Sequence, residues 1–282
     1  MNRAVILAHH DRDGIVDPYV VRAASAYREI ADQLIFVSAS APTLPPSLAG
    51  VVDRFVPREN TGYDFGSWRD GLRDLGDRSR FDEILFVNDS VYGPLFDLRP
   101  ALESVRLQDA DLAGMVLSAE RQPHLQSWWF LMRRRLIGSA VCDEFWRSVS
   151  HQDSKEAFVD RYEIGLSQQV AAAGFRIAAL VDGAHESPPS WLETARNVSP
   201  LSWTMFREHR RQLRRRGPPY NPSDLHWRRL WQAGVPYVKV SLFRRNQYAI
   251  DTRRVLAALG RLAPEWESLI AAHLARVSGS GR

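Results

Sequence analysis

The sequence predicts an α/β fold of Rossmann-like type, with a mostly parallel central sheet flanked by helices and a helical C-terminal extension. Short apolar runs alternate with helical patterns over about the first 185 residues, and this alternation is typical of a parallel sheet covered by helices. Pro188-Pro189 then interrupts the pattern. Beyond that point the sequence is rich in Trp and Arg and its apolar spacing is mostly helical, with breaks at 217–222 and 234–236.

The strands are expected where short apolar runs are bounded by polar or turn residues. These runs are Ala4–Ala8, Leu34–Val37, Val51–Val56, Ile84–Val87, Leu112–Leu117, Trp128–Met132 and Ile177–Val181.

Helices are expected between these strands, at Pro18–Ala31, Phe65–Leu75, Phe96–Val105, Ser139–Val149 and Ile164–Ala173. In the second of them Phe65, Trp68, Leu72 and Leu75 follow one another at steps of three or four residues, which places them on one helical face. We expect residues 1–190 to form the α/β domain and residues 191–282 to form a helical extension packed on it.

Composition narrows the class of protein. A hydrophobic content of 45% and a charged content of 25% are those of an ordinary globular domain. The single cysteine, Cys142, excludes an internal disulfide and favours a reducing compartment. No apolar run approaches the ~18 residues that span a bilayer, and the chain enters a strand pattern directly at Ala4. The expected location is the cytoplasm.

Polar residues follow four of the predicted strands. They are His9-His10-Asp11 after the first strand, Ser38 after the second, the loop from Asn60 to Asp64 after the third, and Asn88-Asp89-Ser90 after the fourth. In an open parallel sheet the ligand lies outside the carboxyl ends of the strands, so we expect these loops to build one pocket. The chain lacks G-x-G-x-x-G and G-x-x-x-x-G-K-[ST], which argues against the usual dinucleotide and P-loop sites.

Asp89 is the central candidate, because its carboxylate suits Mg²⁺ or Mn²⁺ bound to phosphate oxygens. An ordinary polar turn after a strand is the alternative. Asp64 is likewise a candidate ligand contact or the N-cap of the helix at Phe65. Gly62 is a candidate turn glycine.

Further candidates lie downstream. Glu163 is expected in the first turn of a helix, as a general base or as an acid favoured by the helix terminus. His185, after the last strand, is a candidate metal ligand or phosphate contact. His124 and the pair Trp128-Trp129 are candidates for an acceptor-binding wall, with burial in the core as the alternative for the tryptophans.

The order of these pieces resembles the layout of GT-A glycosyltransferases that use nucleotide-sugars, although Asn88-Asp89-Ser90 stands where those enzymes usually carry D-x-D. More narrowly, residues 4–250 are similar to the rhamnan synthesis protein F family. The segments that carry this resemblance are 60–64 (NTGYD), 86–94 (FVNDSVYGP), 126–130 (QSWWF), 162–167 (YEIGLS), 221–227, 234–239 (GVPYVK) and 244–246 (RRN).

The resemblance implies transfer of a deoxyhexose, L-rhamnose from a dTDP donor, onto a cell-surface polysaccharide or lipopolysaccharide O-antigen with inversion at the anomeric carbon. It implies Glu163 as the base, Asp89 as a donor or divalent-cation contact, and His185 and Lys239 as diphosphate contacts. The donor pocket would also include His9, Asn60, Gly62, Asp64, Asn88 and Ser90. The lost D-x-D keeps one alternative open, a catalytically silent sugar- or nucleotide-binding subunit of a glycan assembly complex.

A dense basic run from His209 to Arg216 contributes to the formal net charge of +4. A solvated helix end is the plain interpretation. The functional interpretation is docking on the inner membrane surface, where lipid-linked acceptors reside. Nucleic acid is disfavoured as a partner, because the basic residues form one short run and not a whole face.

Overall fold

A computed structural model of the chain describes residues 1–152, 154–183, 189–199 and 202–279. Its strands are β1 (Arg3–His9), β2 (Gln33–Ser38), β3 (Arg54–Pro57), β4 (Glu83–Asn88), β5 (Val91–Tyr92), β6 (Leu112–Ser118), β7 (His124–Leu125), β8 (Trp129–Arg133), β9 (Ile177–Asp182) and β10 (Val238–Lys239).

The helices of the first part are α1 (Pro18–Arg28), α2 (Tyr63–Leu75), α3 (Arg99–Leu107), α4 (Arg134–Ile137), α5 (Ala140–Ser148), α6 (Lys155–Phe158) and α7 (Gly165–Ala172), with a π-helix, Val159–Ile164, joining α6 to α7. Short 3₁₀ turns lie at Pro46–Leu48 and Arg78–Arg80. The later helices are α8 (Trp191–Asn197), α9 (Trp203–Arg216), α10 (Pro222–Leu225), α11 (Trp227–Gln232), α12 (Val240–Arg244), α13 (Thr252–Leu262) and α14 (Pro264–Gly279).

The central sheet has the strand order β3-β2-β1-β4-β8-β6-β7, and β9 pairs with β6. The pairs β3–β2, β2–β1, β1–β4 and β6–β9 are parallel, whereas β8 runs antiparallel to both β4 and β6. The carboxyl ends of β1, β4, β6 and β9 therefore reach the same edge of the sheet. The amino end of β8 lies there too, so the residues just before Trp129 also come to this edge.

Alternate residues of the strands enter two cores, one on each face of the sheet. Val5 and Leu7 belong to the core under α1, α3 and the C-terminal helices, and Ala4 and Ile6 to the core under α2, α5 and α7. This two-residue alternation with both faces buried is expected of a sheet covered by helices. The arrangement confirms the predicted α/β fold.

The C-terminal helices pack on one face of the sheet and share its core. Leu213, Trp227, Leu259 and Trp266 lie in the same apolar cluster as Val5. β10 pairs antiparallel with β5, with Lys239 opposite Val91. The predicted helical extension is thus observed, and its strand β10 is held beside the turn at Asn88-Asp89-Ser90. Across the described residues, no helix combines the length and apolar character needed to cross a membrane.

Two local expectations need correction. The helix expected at Phe65 begins at Tyr63, and its N-cap is Gly62 in the left-handed conformation (φ 79°) and not Asp64. The helix expected to open at Glu163 begins earlier, at Lys155, where the Ser154 side chain caps it by accepting from the Ala157 backbone N–H. Glu163 lies inside the π-helix that continues α6.

Candidate active site

Two cavities open side by side at the carboxyl edge of the sheet. The first cavity, of about 570 Å³, is lined by the loops after β1 and β4 together with Arg244, His273 and Val277. The second cavity, of about 530 Å³, is lined by residues from the β6–β8 segment, the π-helix and the segment 216–247. Five residues line both cavities and lie between them: Ser90, Lys155, Lys239, Ser241 and Arg245.

The turn after β4 forms the floor of the first cavity. The His10 backbone N–H donates to Asp89 Oδ2 at 2.9 Å, and the Tyr19 hydroxyl donates to the Asp89 backbone carbonyl at 3.0 Å. The His9 ring is hydrogen-bonded to Ser38 Oγ at 2.9 Å and to the Ile15 carbonyl at 3.2 Å. These hydrogen bonds tie together the ends of the neighbouring parallel strands β1, β2 and β4.

Burial perturbs the ionisation of this floor. It raises the pKa of Asp89 well above its usual range, and the nearby Asp64 carboxylate raises that pKa further. Burial also lowers the pKa of the His9 imidazole to about 4. A strongly perturbed carboxyl in a cleft is a recurrent mark of functional sites.

Asn88 braces the divide between the two cavities. Its Nδ2 donates to Asp64 Oδ2 at 2.8 Å, and its Oδ1 accepts from the Ser90 hydroxyl at 2.7 Å and from the Ser90 backbone N–H at 3.1 Å. Burial raises the pKa of Asp64, and this hydrogen bond acts in the opposite sense. Asp64, Asn88 and Ser90 thus lie together on the second cavity.

The C-terminal helix supplies a wall of the first cavity that sequence reasoning missed. Arg276 of α14 donates to the carboxylates of Asp11, Asp13 and Asp17. The His273 ring is hydrogen-bonded to the Tyr92 hydroxyl at 2.6 Å. Nothing in the sequence around Arg276 marks it as a partner of a loop more than 250 residues earlier.

Glu163 and Glu120 bring carboxylates to the second cavity. Glu163 Oε1 accepts from the Ser127 backbone N–H at 3.0 Å, and Glu120 Oε2 accepts from Asn221 Nδ2 at 2.6 Å. Burial raises the pKa of Glu120. π-Helical turns occur frequently at functional sites, and the one here carries Glu163. Glu120 was missed because it stands in a loop with no motif around it.

A buried hydrogen-bond network joins the α/β part to the later helices beneath the second cavity. Gln126 accepts from Trp128 Nε1 at 3.0 Å and from the Ser223 hydroxyl, and it donates to Asn221 Oδ1 at 3.1 Å. Asp224 accepts from Ser241 at 2.6 Å and from Gln247 at 2.8 Å. Such satisfied networks hold side chains rigidly.

Cationic side chains gather where the cavities meet. Lys155, Lys239 and Arg245 line both cavities and Arg244 lines the first. In the part of the chain that the structure describes, none of the four has a carboxylate within 4.0 Å. Burial lowers the pKa of Lys239, against the opposing effect of Glu163, Asp224 and Asp64.

Lysine is rare in this protein: of its 37 Lys and Arg residues, only Lys155 and Lys239 are lysines. Both lie between the two cavities. An ammonium is a compact point charge with three donors, unlike the planar guanidinium.

The cleft therefore contains most of the residues that the sequence suggested: His9, Asp64, Asn88, Asp89, Ser90, His124, Glu163 and Lys239. Trp128 and Trp129 are 2% and 0% exposed and lie in the core, so they offer no face to an acceptor. Asn60 and Gly62 do not line either cavity; Gly62 ends the loop before α2. His185 lies outside the described residues.

Within residues 1–152, 154–183, 189–199 and 202–279, no three His, Cys, Asp or Glu side chains are grouped so that they could hold a metal ion. The Asp64 carboxylate lies near enough to Asp89 to raise its pKa, but among the described residues no third ligand joins this pair.

Residues 34–198, more than half of the chain, match the sequence model of the family described as rhamnan synthesis protein F. Uncharacterized protein y4gN of Sinorhizobium fredii (strain NBRC 101917 / NGR234) is 28% identical over 148 residues, 51% of this chain and 37% of y4gN. Virulence protein VirA of Vibrio anguillarum (strain ATCC 68554 / 775) is 27% identical over 209 residues, 72% of this chain and 66% of VirA. The chain spans less than two thirds of either relative.

Among solved structures, glucosyl-3-phosphoglycerate synthase from Mycobacterium tuberculosis in complex with Mn²⁺ and uridine-diphosphate-glucose is similar to this chain with a TM-score of 0.39 and 15% sequence identity. The similarity covers 67% of this chain and 72% of that one. At this level it does not carry site residues from one structure to the other.

Proposed function

The chain belongs to the rhamnan synthesis protein F family, and from this premise we propose that it is an inverting glycosyltransferase of GT-A type. The proposed donor is a nucleotide-sugar, dTDP-L-rhamnose, as the resemblance to the family implies, and the proposed acceptor is a growing cell-surface glycan. The first cavity binds the nucleotide and the second binds the acceptor.

The observation that carries this proposal is the meeting of the two cavities at Lys239 and Arg245. A nucleotide-sugar bears two phosphates, and their negative charge suits a place lined by cations that have no carboxylate partner among the described residues. Sugar transfer also requires the donor and the acceptor to be held side by side. Two adjoining cavities with cations between them meet both requirements.

The residues of the cleft can supply a base for the acceptor proton and cations for the leaving diphosphate. Glu163 accepts the proton of the acceptor hydroxyl, and the acceptor oxygen forms a bond to the anomeric carbon from the face opposite the diphosphate. The bond between that carbon and the phosphate oxygen breaks, and the nucleoside diphosphate leaves with the electron pair. Lys239, Arg244 and Arg245 stabilise the charge that develops on the leaving phosphate.

The remaining residues orient these groups. Ser127 holds Glu163 through its backbone N–H, and Glu120 and His124 are proposed to contact acceptor hydroxyls in the same cavity. Asp89, with His9 behind it, contacts the donor, and Asp64 and Ser90 lie at the sugar. Trp128 and Trp129 are not part of the proposed acceptor site, because both are buried.

A divalent cation, Mg²⁺ or Mn²⁺, stays a prediction. The described residues offer Asp89 and Asp64 and no third protein ligand, so we route no step through a metal. Transfer activity measured in EDTA and again after Mn²⁺ is restored decides whether a cation takes part.

The acceptor is proposed to be lipid-linked, which places the protein in the cytoplasm at the inner membrane surface. Sugar transfer from dTDP-rhamnose and other nucleotide-sugars to such an acceptor, followed by mass spectrometry, tests the activity. We expect transfer by the wild type and its loss in Asp89→Asn and Glu163→Gln proteins that keep their circular dichroism spectra.

Two other results would change the conclusion. Full activity in both variants overturns the site assignment. Donor binding without turnover in the wild type, seen as a rise in Tm by mass action, identifies a silent nucleotide-sugar-binding subunit instead.

A further inference from the structure

Helix α9 presents a basic face to solvent. Trp203, Arg207, Arg210, Arg211 and Arg214 follow one another at helical steps, so they share one side of the helix. Trp203 is 69% exposed and each of these arginines is exposed. This set of five residues is the basic face, and Arg215 lies at its margin.

The opposite side of α9 fixes the helix to the protein. His209 is fully buried and its Nδ1 is hydrogen-bonded to the Tyr248 carbonyl at 2.5 Å. Leu213 is 4% exposed and belongs to the main core. The helix cannot turn its basic face inward, because its buried side is already engaged.

The charge of the basic face is largely uncompensated. Glu208 is the only acidic residue of α9, and it pairs with Arg211. Across the described residues, no carboxylate lies within 4.0 Å of Arg207, Arg210 or Arg214. An uncompensated cationic surface of this kind attracts a polyanionic partner.

The exposed ring of Trp203 favours an anionic lipid surface over other polyanions, such as nucleic acid. It stacks on Phe206, with 5.4 Å between ring centroids, at the start of the same helix. Tryptophan is favoured at the level of lipid headgroups, where its ring is half in the apolar layer. The outer side of α9 therefore combines the charge that attracts anionic lipid headgroups with one aromatic ring suited to the headgroup level.

The end of α9 leads to the second cavity. Arg216, its last residue, and Pro218 and Pro219 just beyond it line that cavity. The helix has 14 residues and is about 21 Å long, so a surface bound along the basic face lies close to the cavity opening.

We propose that the basic face of α9 docks on an anionic lipid bilayer and thereby holds the second cavity beside the membrane, where a lipid-linked acceptor can enter it. The role given to the cavity rests on the proposed function. The docking itself does not, since it depends only on the surface of α9.

Flotation with lipid vesicles tests the docking without any donor. The wild type is expected to bind vesicles of phosphatidylcholine mixed with phosphatidylglycerol and not vesicles of phosphatidylcholine alone. An Arg210→Ala/Arg214→Ala double variant should bind the anionic vesicles about 30-fold more weakly, since each basic residue near such a surface contributes about fivefold. Trp203→Ala should weaken binding as well.

The matched control is Arg73→Ala/Arg147→Ala, which removes two exposed arginines outside α9 and should bind as the wild type does. Equal binding of the wild type to neutral and anionic vesicles overturns the proposal. The proposal is also overturned if the Arg210→Ala/Arg214→Ala variant binds anionic vesicles as tightly as the wild type does. Tighter binding to a DNA duplex than to anionic vesicles at the same salt concentration also overturns it.

Sugar transfer separates this proposal from the proposed function. The α9 double variant is expected to keep transfer to a detergent-solubilised acceptor and to lose transfer to the same acceptor in vesicles. A wild type that binds anionic vesicles but transfers no sugar leaves the docking intact and removes the proposed function.

Discussion

The acidic loop after β1 and the second cavity differ in how their carboxylates are held. In the first cavity Asp11, Asp13 and Asp17 are bound by the guanidinium of Arg276. In the second cavity Glu163 and Glu120 accept only from a backbone N–H and an amide, and in the described part of the chain neither has an ion pair. Carboxylates locked to arginine build a wall, whereas carboxylates held by neutral donors stay available as bases.

The largest effect is expected from the second cavity. Glu163→Gln removes the proposed base while keeping the hydrogen bond from Ser127. The rate of transfer should fall by about 10²- to 10⁴-fold, which is the usual contribution of general base catalysis. Donor affinity, measured by calorimetry, should stay unchanged, because the donor lies mainly in the first cavity.

Glu156→Gln is the control for this prediction. Glu156 is exposed one turn before the π-helix and lines neither cavity. Loss of activity in both variants would point to damage of the helix and not to loss of a base.

The next effect concerns the junction of the cavities. Lys239→Met should raise the donor Kd by about 10- to 100-fold, because a hydrogen bond to a charged group contributes about 1.5–3 kcal/mol. Titration calorimetry measures the change. Lys155→Met is the comparison, and since Lys155 is exposed its loss should matter less. A larger rise of the donor Kd in Lys155→Met than in Lys239→Met would contradict the proposed contact between Lys239 and the diphosphate.

A smaller effect, on stability, is expected at the floor of the first cavity. The pKa of Asp89 is raised by folding, so the free energy of unfolding falls as pH rises above the unfolded value and through the folded one. Asp89→Asn should therefore stabilise the protein by about 0.5–2 kcal/mol at neutral pH. The gain should vanish near pH 4, where wild-type Asp89 is protonated.

Urea unfolding at pH 4 and at pH 8 measures this difference. Asp109→Asn, at an exposed ion pair with Arg176, is the control and should change stability by no more than about 0.5 kcal/mol. A destabilised Asp89→Asn protein at pH 8 would contradict the prediction.

The smallest effect is expected at His9. Burial lowers its pKa to about 4, so its ring stays neutral between pH 6.5 and pH 8 and contributes no change in donor binding there. Below pH 6.5 the unfolded state binds the extra proton and the folded state does not, so stability declines as pH falls towards about 4. Histidine NMR resonances, assigned with a His9→Gln variant, should show no titration of this ring above pH 6.

The first cavity could be predicted from sequence because sheet geometry brings it together. His9 and Asp89 end neighbouring parallel strands, and any parallel sheet places such residues on one edge. The second cavity could be predicted only in part. Glu163 was found, but Glu120 and Asn221 stand 101 positions apart and meet only after the C-terminal helices dock.

Trp128 and Trp129 show a second limit of sequence reasoning. An aromatic pair fits a sugar-binding wall and a core equally well in sequence. Here β8 lies between β4 and β6 with both faces covered, so neither ring reaches the cleft. The direction of β8 was equally hidden, because an apolar run does not show whether its strand is parallel or antiparallel.

Because both lysines of the chain line the cleft, the cleft can be labelled selectively with an amine-reactive reagent. An acylating reagent that reacts with amines finds Lys155, Lys239 and the terminal amine, and no other lysine along the 282 residues. The lowered pKa of Lys239 leaves more of its amine unprotonated and therefore more nucleophilic. A molecule bound between the two cavities would shield both side chains from the reagent, and peptide mapping would show this as lower acylation of Lys155 and Lys239. The many surface arginines do not react with such a reagent, so they add no background.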